Sequence, residues 1–222
     1  MKPKDAFDDF SVKVPFFVPS ITKRDKTVVM NALNSSLLTD GPKLRQFEKD
    51  FSKFTGAKYA IGVSNGTAAL HLALNSLNLK KNDEVITSPF TYFATAEVIA
   101  QLGAKPVFVD INPKNLCMSE SQIIKKVNNK TLAVFMTHVQ GFNGLSDKLI
   151  SFLKKRKILL IEDVCESHGA TFNNKKLGTF GKISNFSFYY AHHISTIEGG
   201  AICTNDKSVY ELVRILRSHG MV

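Results

Sequence analysis

Cysteine is scarce in this sequence, and the few cysteines are scattered. The 222 residues contain three, Cys117, Cys165 and Cys203, and none forms a Cys-x-x-Cys pair or stands at metal-ligand spacing from a histidine. A disulfide framework or a zinc finger needs paired or clustered cysteines. The sequence therefore predicts neither, and we expect no metal site.

Long apolar runs are missing as well. No stretch approaches the roughly 18–20 apolar residues that a membrane-spanning helix needs. The N-terminal segment MKPKDAFDDF has two lysines but no apolar core behind them, so it lacks the pattern of a secretory signal. We therefore expect a cytoplasmic protein that is not bound to a membrane.

Acidic residues are fewer than basic ones, 19 against 29, and the formal net charge is +10. Such an excess suits nucleic acid, an anionic membrane surface or a phosphorylated small molecule. The basic residues are spread along the chain apart from one run at 154–157, and no aromatic RNA-binding motif accompanies them. We therefore expect no nucleic-acid partner.

Short apolar runs alternate with stretches of helical periodicity. The runs that predict strands are 59–63, 84–88, 106–110, 131–136, 157–163, 185–190 and 200–204, of which the last two form a pair. Helices are predicted to start near 42 and to cover 67–77, 91–102, 145–155 and 208–218. This alternation predicts an α/β fold with a mostly parallel sheet covered on both faces. Ligands of such folds bind at the carboxyl ends of strands.

Three loops that follow predicted strands carry polar residues. In the first, Ser64-Asn65-Gly66-Thr67 leads into a helix whose free N–H groups and dipole favour an anion, although a plain N-capping turn is the alternative. In the second, Asp163 stands at a strand end, where it can hold a cationic ring nitrogen or cap a helix. The third contains adjacent histidines, His192 and His193, whose side chains point in different directions, so at most one reaches a given site.

The ordered set of motifs resembles the DegT/StrS family of pyridoxal-phosphate-dependent nucleotide-sugar aminotransferases. The resemblance extends from residue 14 to residue 220. It is carried by LTDGP (38–42), GAKYAIGVSNGTAALHLAL (56–74), DEVITSPFTYFATAEVI (83–99), GAKPVFVDINP (103–113), IEDVCESHGATF (161–172), GTFGKISNFSFYY (178–190), EGGAICTND (198–206) and RSHG (217–220).

The resemblance implies roles for six residues in holding the cofactor. They are Gly66 and Thr67 at the turn that binds its phosphate, Ser187 as a second phosphate ligand, Tyr92 stacked on the pyridine ring, Asp163 paired with the pyridine nitrogen, and Glu166 beside the ring. An aspartate in that place keeps the nitrogen protonated, so that the ring accepts electrons.

One position departs from the family's aminotransferases. They carry a lysine five residues after the serine that binds phosphate, and here that position is His192. An imidazole has no primary amine with which to hold the cofactor covalently. The exchange resembles a branch of the family, the 3-dehydratases of 4-keto-6-deoxy sugars, which implies non-covalent pyridoxamine or pyridoxal phosphate with His192 as the catalytic base.

The same resemblance implies the architecture and the partners. Residues 1–222 are expected to form the large domain of a fold-type I pyridoxal-phosphate enzyme, built on a seven-stranded sheet, with an N-terminal arm over about 1–40. A smaller C-terminal domain, a homodimer and a nucleotide-diphosphate-sugar substrate are expected as well. No cysteine cluster for an iron–sulfur centre occurs here. An aminotransferase and an inactive binder of cofactor or sugar remain the alternatives.

Overall fold

A seven-stranded sheet forms the centre of the structure, a computed structural model that describes residue 18 and residues 20–221. Its strand order is β1-β9-β8-β5-β4-β2-β3, and β6 and β7 form a separate hairpin. The strands are β1 (Tyr59–Val63), β2 (Glu84–Thr87), β3 (Lys105–Phe108), β4 (Thr131–Thr137), β5 (Leu159–Asp163), β6 (Thr171–Phe172), β7 (Lys175–Lys176), β8 (Ile183–Ser187) and β9 (Gly200–Thr204).

The pairing of the strands confirms the predicted sheet. The strands β3, β2, β4, β5 and β8 pair in parallel, and β9 lies antiparallel between β8 and β1. The two runs predicted as a final pair are therefore neighbours. The first of them spans Ile183–Ser187 instead of 185–190, because the chain leaves the sheet after Ser187.

Seven α-helices are assigned in the described residues. They are α1 (Lys23–Leu33), α2 (Pro42–Thr55), α3 (Gly66–Asn75), α4 (Ala94–Gln101), α5 (Glu120–Lys126), α6 (Asp147–Arg156) and α7 (Lys207–Arg217). The sequence reading missed α1 and α5. It also started α4 too early, at residue 91, since the segment from Ser88 to Phe93 forms a loop after β2. None of the helices in the described part of the chain is long and apolar enough to span a bilayer.

The chain divides into two units between Leu38 and Thr39. In the first unit, α1 starts with a capping box in which Thr22 and Asp25 exchange hydrogen bonds, with 2.8 Å from the Thr22 N–H to Asp25 Oδ2. This pair satisfies two N–H groups that a helix start leaves without partners. The predicted N-terminal arm over about 1–40 stays a prediction, and residues 1–17 and 19 lie outside the described part of the chain.

The second unit buries apolar side chains on both faces of the sheet. One cluster joins the sheet to α3, α4 and α7, through residues such as Leu74, Ile99 and Val213. The other joins it to α2, α5 and α6, through residues such as Phe51 and Leu149. Burial of apolar surface on both sides explains why the strands are continuous apolar runs.

A buried carboxylate connects three segments at the centre of the second unit. Glu162 in β5 is fully buried, and its Oε1 accepts hydrogen bonds from the N–H groups of Phe180 and Gly181 at 2.8 and 2.7 Å. Its Oε2 accepts from the Gly178 N–H at 2.8 Å and lies 3.2 Å from Nε2 of His138. A buried carboxylate is tolerable only with such a full set of donors.

An arginine at the end of α7 connects that helix to α2 and β1. Nη1 of Arg217 donates to Glu48 Oε1 at 2.7 Å and to the Gly62 carbonyl at 3.3 Å, while Nη2 reaches Asp40 Oδ1 at 3.3 Å. The Gly62 N–H also donates to Glu48, at 3.0 Å. Arg217 and Glu48 are 14% and 16% exposed, so the pair is well shielded from water.

We expect Arg217→Ala to lower the free energy of unfolding by about 2 kcal/mol, because it leaves the shielded Glu48 without its charge partner. Lys207→Ala on the same helix is the control. Lys207 pairs with Glu211 at the solvent-exposed surface, with side chains that are 75% and 58% exposed. Loss of this ion pair should therefore lower the free energy of unfolding by at most about 0.5 kcal/mol. Urea unfolding measures both, and equal losses would contradict the assignment.

Candidate active site

The polar residues singled out from the sequence meet at one edge of the sheet. β1, β2, β4, β5 and β8 run in the same direction, so their carboxyl ends lie at this edge. The loops that leave these ends carry nearly all of the candidate site residues. A crevice outside the carboxyl ends of parallel strands is the usual ligand site of such folds.

The loop after β1 presents the N-terminus of α3 to this edge. Asn65 caps the helix, and its Oδ1 accepts from the Ala68 N–H at 2.7 Å. The N–H groups of Gly66 and Thr67 donate to no other residue in the part of the chain that the structure describes. Two donors without partners at the positive end of a helix dipole can hold an anion such as phosphate.

Ser187, the last residue of β8, lies directly against this helix start. A Cβ placed on Gly66 would come within 2.8 Å of Ser187 Cβ and 2.9 Å of its Oγ. The hydroxyl accepts a hydrogen bond from the Tyr189 N–H at 3.3 Å, so its own proton can be donated elsewhere. The first turn of α3 and Ser187 therefore form one cradle of donors.

Close packing of β9 against the same turn completes the cradle. A Cβ on Gly200 would lie 2.4 Å from the Asn65 carbonyl oxygen and 3.0 Å from the Gly66 nitrogen. Only glycine leaves room for this approach, which accounts for Gly200 as the first residue of β9.

Asp163 ends β5 on the face of the sheet that carries Ser187 and α3. It is 5% exposed, and its Oδ1 accepts from the Cys165 N–H at 3.2 Å and from Asn185 Nδ2 at 2.9 Å. Successive strand residues point to opposite faces, so Glu162 and Asp163 face away from each other. The structure thus gives the two neighbouring acids different environments.

Glu166 and His192 lie within electrostatic reach of each other above Asp163. The exposed Glu166 accepts from the Gln140 N–H at 3.2 Å. Partial burial lowers the pKa of His192, Glu166 and Asp163 raise it, and His193 lowers it further, so that the net shift is downward. A histidine with a lowered pKa is neutral at pH 7 and can accept a proton.

Tyr92 lies farther out than the other predicted site residues. Its ring is 63% exposed and contacts Phe93, with ring centroids 4.6 Å apart. The loop that carries it is joined to the end of β4 by a hydrogen bond from Thr137 to Thr91, at 3.3 Å. Partial burial, and then Tyr190, Glu198 and Tyr92, raise the pKa of Tyr189, the residue that precedes the loop with His192.

Sequence reasoning missed several residues of this region. His138 follows β4 and Asn185 stands within β8, and both are fully buried. Two features of the sequence could have indicated these residues. His138 stands just after the predicted strand 131–136, and Asn185 is an amide at the start of the predicted strand 185–190. No group of three or more His, Cys, Asp or Glu side chains in the described ranges could hold a metal ion.

His168 supports the loop that carries the adjacent histidines. Its ring packs against Phe186 and Phe188, with centroids 5.5 and 5.3 Å apart, and meets the His193 ring at 4.7 Å. Neither ring nitrogen has a hydrogen-bond partner among residues 18 and 20–221. Burial, together with His193 and His192, lowers the pKa of His168 to about 4.

Comparison with known proteins places the chain within one family. Residues 19–222 match the DegT/DnrJ/EryC1/StrS aminotransferase family. GDP-perosamine synthase of Escherichia coli O157:H7 is 38% identical over 94% of this chain and 57% of its own length. GDP-4-keto-6-deoxy-D-mannose 3-dehydratase of Escherichia coli O55:H7 is 37% identical over 86% of this chain and 51% of its own length.

A solved structure shows the same fold. The GDP-4-keto-6-deoxy-D-mannose-3-dehydratase of E. coli with bound hydrated PLP superposes with a TM-score of 0.88 and 35% identity, over 93% of this chain and 55% of that one. The fold is therefore that of the pyridoxal-phosphate enzymes of fold type I, as predicted. The chain spans about half the length of the curated relatives it matches.

We expect His168 to make the protein less stable in mild acid. The pKa of His168 is about 4 in the folded chain and near 6.5 when unfolded. Between these values the unfolded chain binds a proton that the folded chain does not. The free energy of unfolding is therefore fully retained above pH 6.5 and falls as the pH drops toward 4. The fall in unfolding free energy between pH 7.5 and 4.5 should be smaller in His168→Phe by about 2 kcal/mol. Identical pH dependence of urea unfolding in the two proteins would contradict this.

Proposed function

We propose that this chain, which belongs to the DegT/DnrJ/EryC1/StrS aminotransferase family, binds pyridoxamine or pyridoxal phosphate non-covalently and dehydrates a nucleotide-linked 4-keto-6-deoxy sugar at C3. The observation that carries the proposal is His192, which stands where the resemblance to the family's aminotransferases calls for lysine. The 3-dehydratase that is 37% identical to this chain supports the same reaction.

The residues at the sheet edge fit such a cofactor. Gly66 and Ser187 pack so closely that an added Cβ would collide, and this contact brings the Ser187 hydroxyl beside the N–H groups of Gly66 and Thr67, which donate to no other described residue. Such a set of donors suits a phosphate. Asp163 offers a shielded carboxylate for the pyridine nitrogen. When bound in its pyridoxamine form, the cofactor would supply a primary amine for a sugar ketone and an electron-accepting ring.

His192 is the proton carrier in this proposal. Its lowered pKa leaves the imidazole neutral at pH 7, so a ring nitrogen can take a proton from a carbon acid and return it to a leaving hydroxyl. Glu166 stands within electrostatic reach, and its negative charge stabilises the imidazolium that forms. Tyr92, at the outer side of the crevice, is assigned to the face of the pyridine ring.

Transamination of the same class of sugar is the second candidate. GDP-perosamine synthase, which is 38% identical to this chain, favours it. Transamination with a resident cofactor depends on a lysine amine, which position 192 does not provide. We further propose that the protein acts as a homodimer on a nucleotide-diphosphate sugar, with the segment 38–42 near the interface.

The cradle can be tested through Gly66→Ala, whose new methyl would collide with Ser187. We expect the Kd for pyridoxamine phosphate to rise at least about tenfold, while folding is retained because alanine favours helix. Ala68→Gly exchanges the same two residue types in the same turn and should bind nearly as well as the wild type. Fluorescence titration measures both, and equal Kd values for Gly66→Ala and the wild type would exclude this phosphate site.

The reaction can be tested in a single turnover with stoichiometric pyridoxamine phosphate and a panel of nucleotide-linked 4-keto-6-deoxy sugars. We expect a product without the C3 hydroxyl, detected by mass spectrometry, and a rate at least about 100-fold lower in His192→Asn at an unchanged cofactor Kd. A product that keeps this hydroxyl and carries a new C4 amine would establish transamination. A bound cofactor without any product would favour the inactive binder.

The covalent chemistry has its own test. In the wild type, treatment with pyridoxal phosphate and borohydride should leave residue 192 unmodified in peptide mass spectra, because imidazole has no primary amine. His192→Lys introduces one and should gain a cofactor adduct at residue 192, together with loss of dehydration. Dehydration at the full rate in His192→Lys would refute the assignment of the base.

A further inference from the structure

An asparagine that the sequence analysis left without a role contacts the carboxylate of Asp163. Asn185 stands in β8 directly opposite Asp163 in the parallel register between β5 and β8, and it is fully buried. Its Nδ2 donates to Asp163 Oδ1 at 2.9 Å and to the sulfur of Cys165 at 3.2 Å. The backbone joins the same strands, since the Val164 N–H donates to the Asn185 carbonyl at 3.0 Å.

These two bonds determine the orientation of the Asn185 amide. Both hydrogens of Nδ2 have an acceptor, whereas Oδ1 is buried and has no hydrogen-bond partner within the described part of the chain. The reversed orientation would place the amide oxygen against the carboxylate oxygen of Asp163 and repel it. A buried oxygen without a partner lowers stability, so the donation to Asp163 is the feature that offsets it.

The donation also divides the Asp163 carboxylate into two unlike oxygens. Asn185 Nδ2 and the Cys165 N–H both donate to Oδ1, at 2.9 and 3.2 Å. Burial and the nearby Asp163 raise the pKa of Cys165 far above its usual value, so its thiol stays neutral and adds no second negative charge. With Oδ1 held from inside the protein, Oδ2 is the oxygen that remains to face a ligand.

We propose that Asn185 is a positioning residue, which holds Oδ1 of Asp163 so that Oδ2 pairs with the protonated pyridine nitrogen of the cofactor. This inference rests on the proposed function, because it concerns the same cofactor. Asn185 precedes Ser187 by two residues in β8, so the two side chains lie on the same face of the sheet. Asn185 contacts the Asp163 carboxylate, whereas Ser187 lies against the first turn of α3.

The test follows the pyridine nitrogen directly. Pyridoxamine phosphate labelled with ¹⁵N in the ring is added to saturation to the wild type, to Asn185→Leu and to Ser187→Ala, and its ring ¹⁵N resonance is followed from pH 6 to 9. Leucine resembles asparagine in size but has no donor. We expect the resonance in Asn185→Leu to move toward that of the unprotonated ring at a lower pH than in the wild type, with a Kd about tenfold higher.

Ser187→Ala is the matched control, since it removes a proposed phosphate contact from the same strand. It should also raise the Kd, but leave the ring ¹⁵N resonance and its pH dependence as in the wild type. A general loss of binding would shift the ring ¹⁵N resonance in both variants. A positioning role of Asn185 would shift it in Asn185→Leu alone.

An unchanged ¹⁵N resonance across this pH range in Asn185→Leu would overturn the inference. If that variant fails to fold, Asn185→Ala, which is smaller than the native side chain and also lacks a donor, decides with the same measurement. If the wild-type protein binds no pyridoxamine phosphate, the proposed function fails and the inference with it. Binding with an altered resonance in the Asn185 variant supports both.

Discussion

The carboxylate of Glu162 is the interaction on which the geometry of the candidate site depends. It is fully buried and accepts from three backbone N–H groups between Gly178 and Gly181 and from the ring of His138. Because the Gly144 N–H donates to Nδ1 of His138 at 3.2 Å, the ring proton lies on Nε2, facing the carboxylate. A buried charge without partners costs several kcal/mol. The segments that carry these donors are therefore held against β5.

The consequences reach the opposite face of the sheet. Glu162 fixes β5 from one side, and strand alternation turns the next residue, Asp163, toward the side of α3 and Ser187. The loop that starts at His138 also contacts the segment after β5, where the Ser167 hydroxyl donates to the His138 carbonyl at 2.6 Å and the Gln140 N–H donates to Glu166. The buried acid Glu162 thus helps to place Asp163, the acid that is proposed to face the cofactor, although the two are neighbours in the sequence.

Apolar periodicity predicted most of the sheet and its mostly parallel direction, because buried parallel strands are unmistakable as apolar runs. It missed α1 and α5 because these helices bury few apolar residues. In the described structure α1 buries none and α5 buries only Ile123. The loops after strands pointed to Gly66 and Asp163, and the family resemblance added Ser187. Other contacts stayed hidden, since Asn185 binds Asp163 and His138 binds Glu162 across strands, and no local pattern records such contacts.

The proposed reaction, by contrast with the scaffold, rests on a single side chain, His192. The cradle of Gly66, Thr67 and Ser187 and the carboxylate of Asp163 are built by strand ends and a helix start, and none of these contacts involves residue 192. Exchange of that residue is therefore expected to change the chemistry while the framework persists. Relatives named for amine transfer and for dehydration are accordingly 38% and 37% identical to this chain, a difference too small to separate the two reactions. Function in this fold follows from the residue that moves the proton, and here that residue is proposed to be His192.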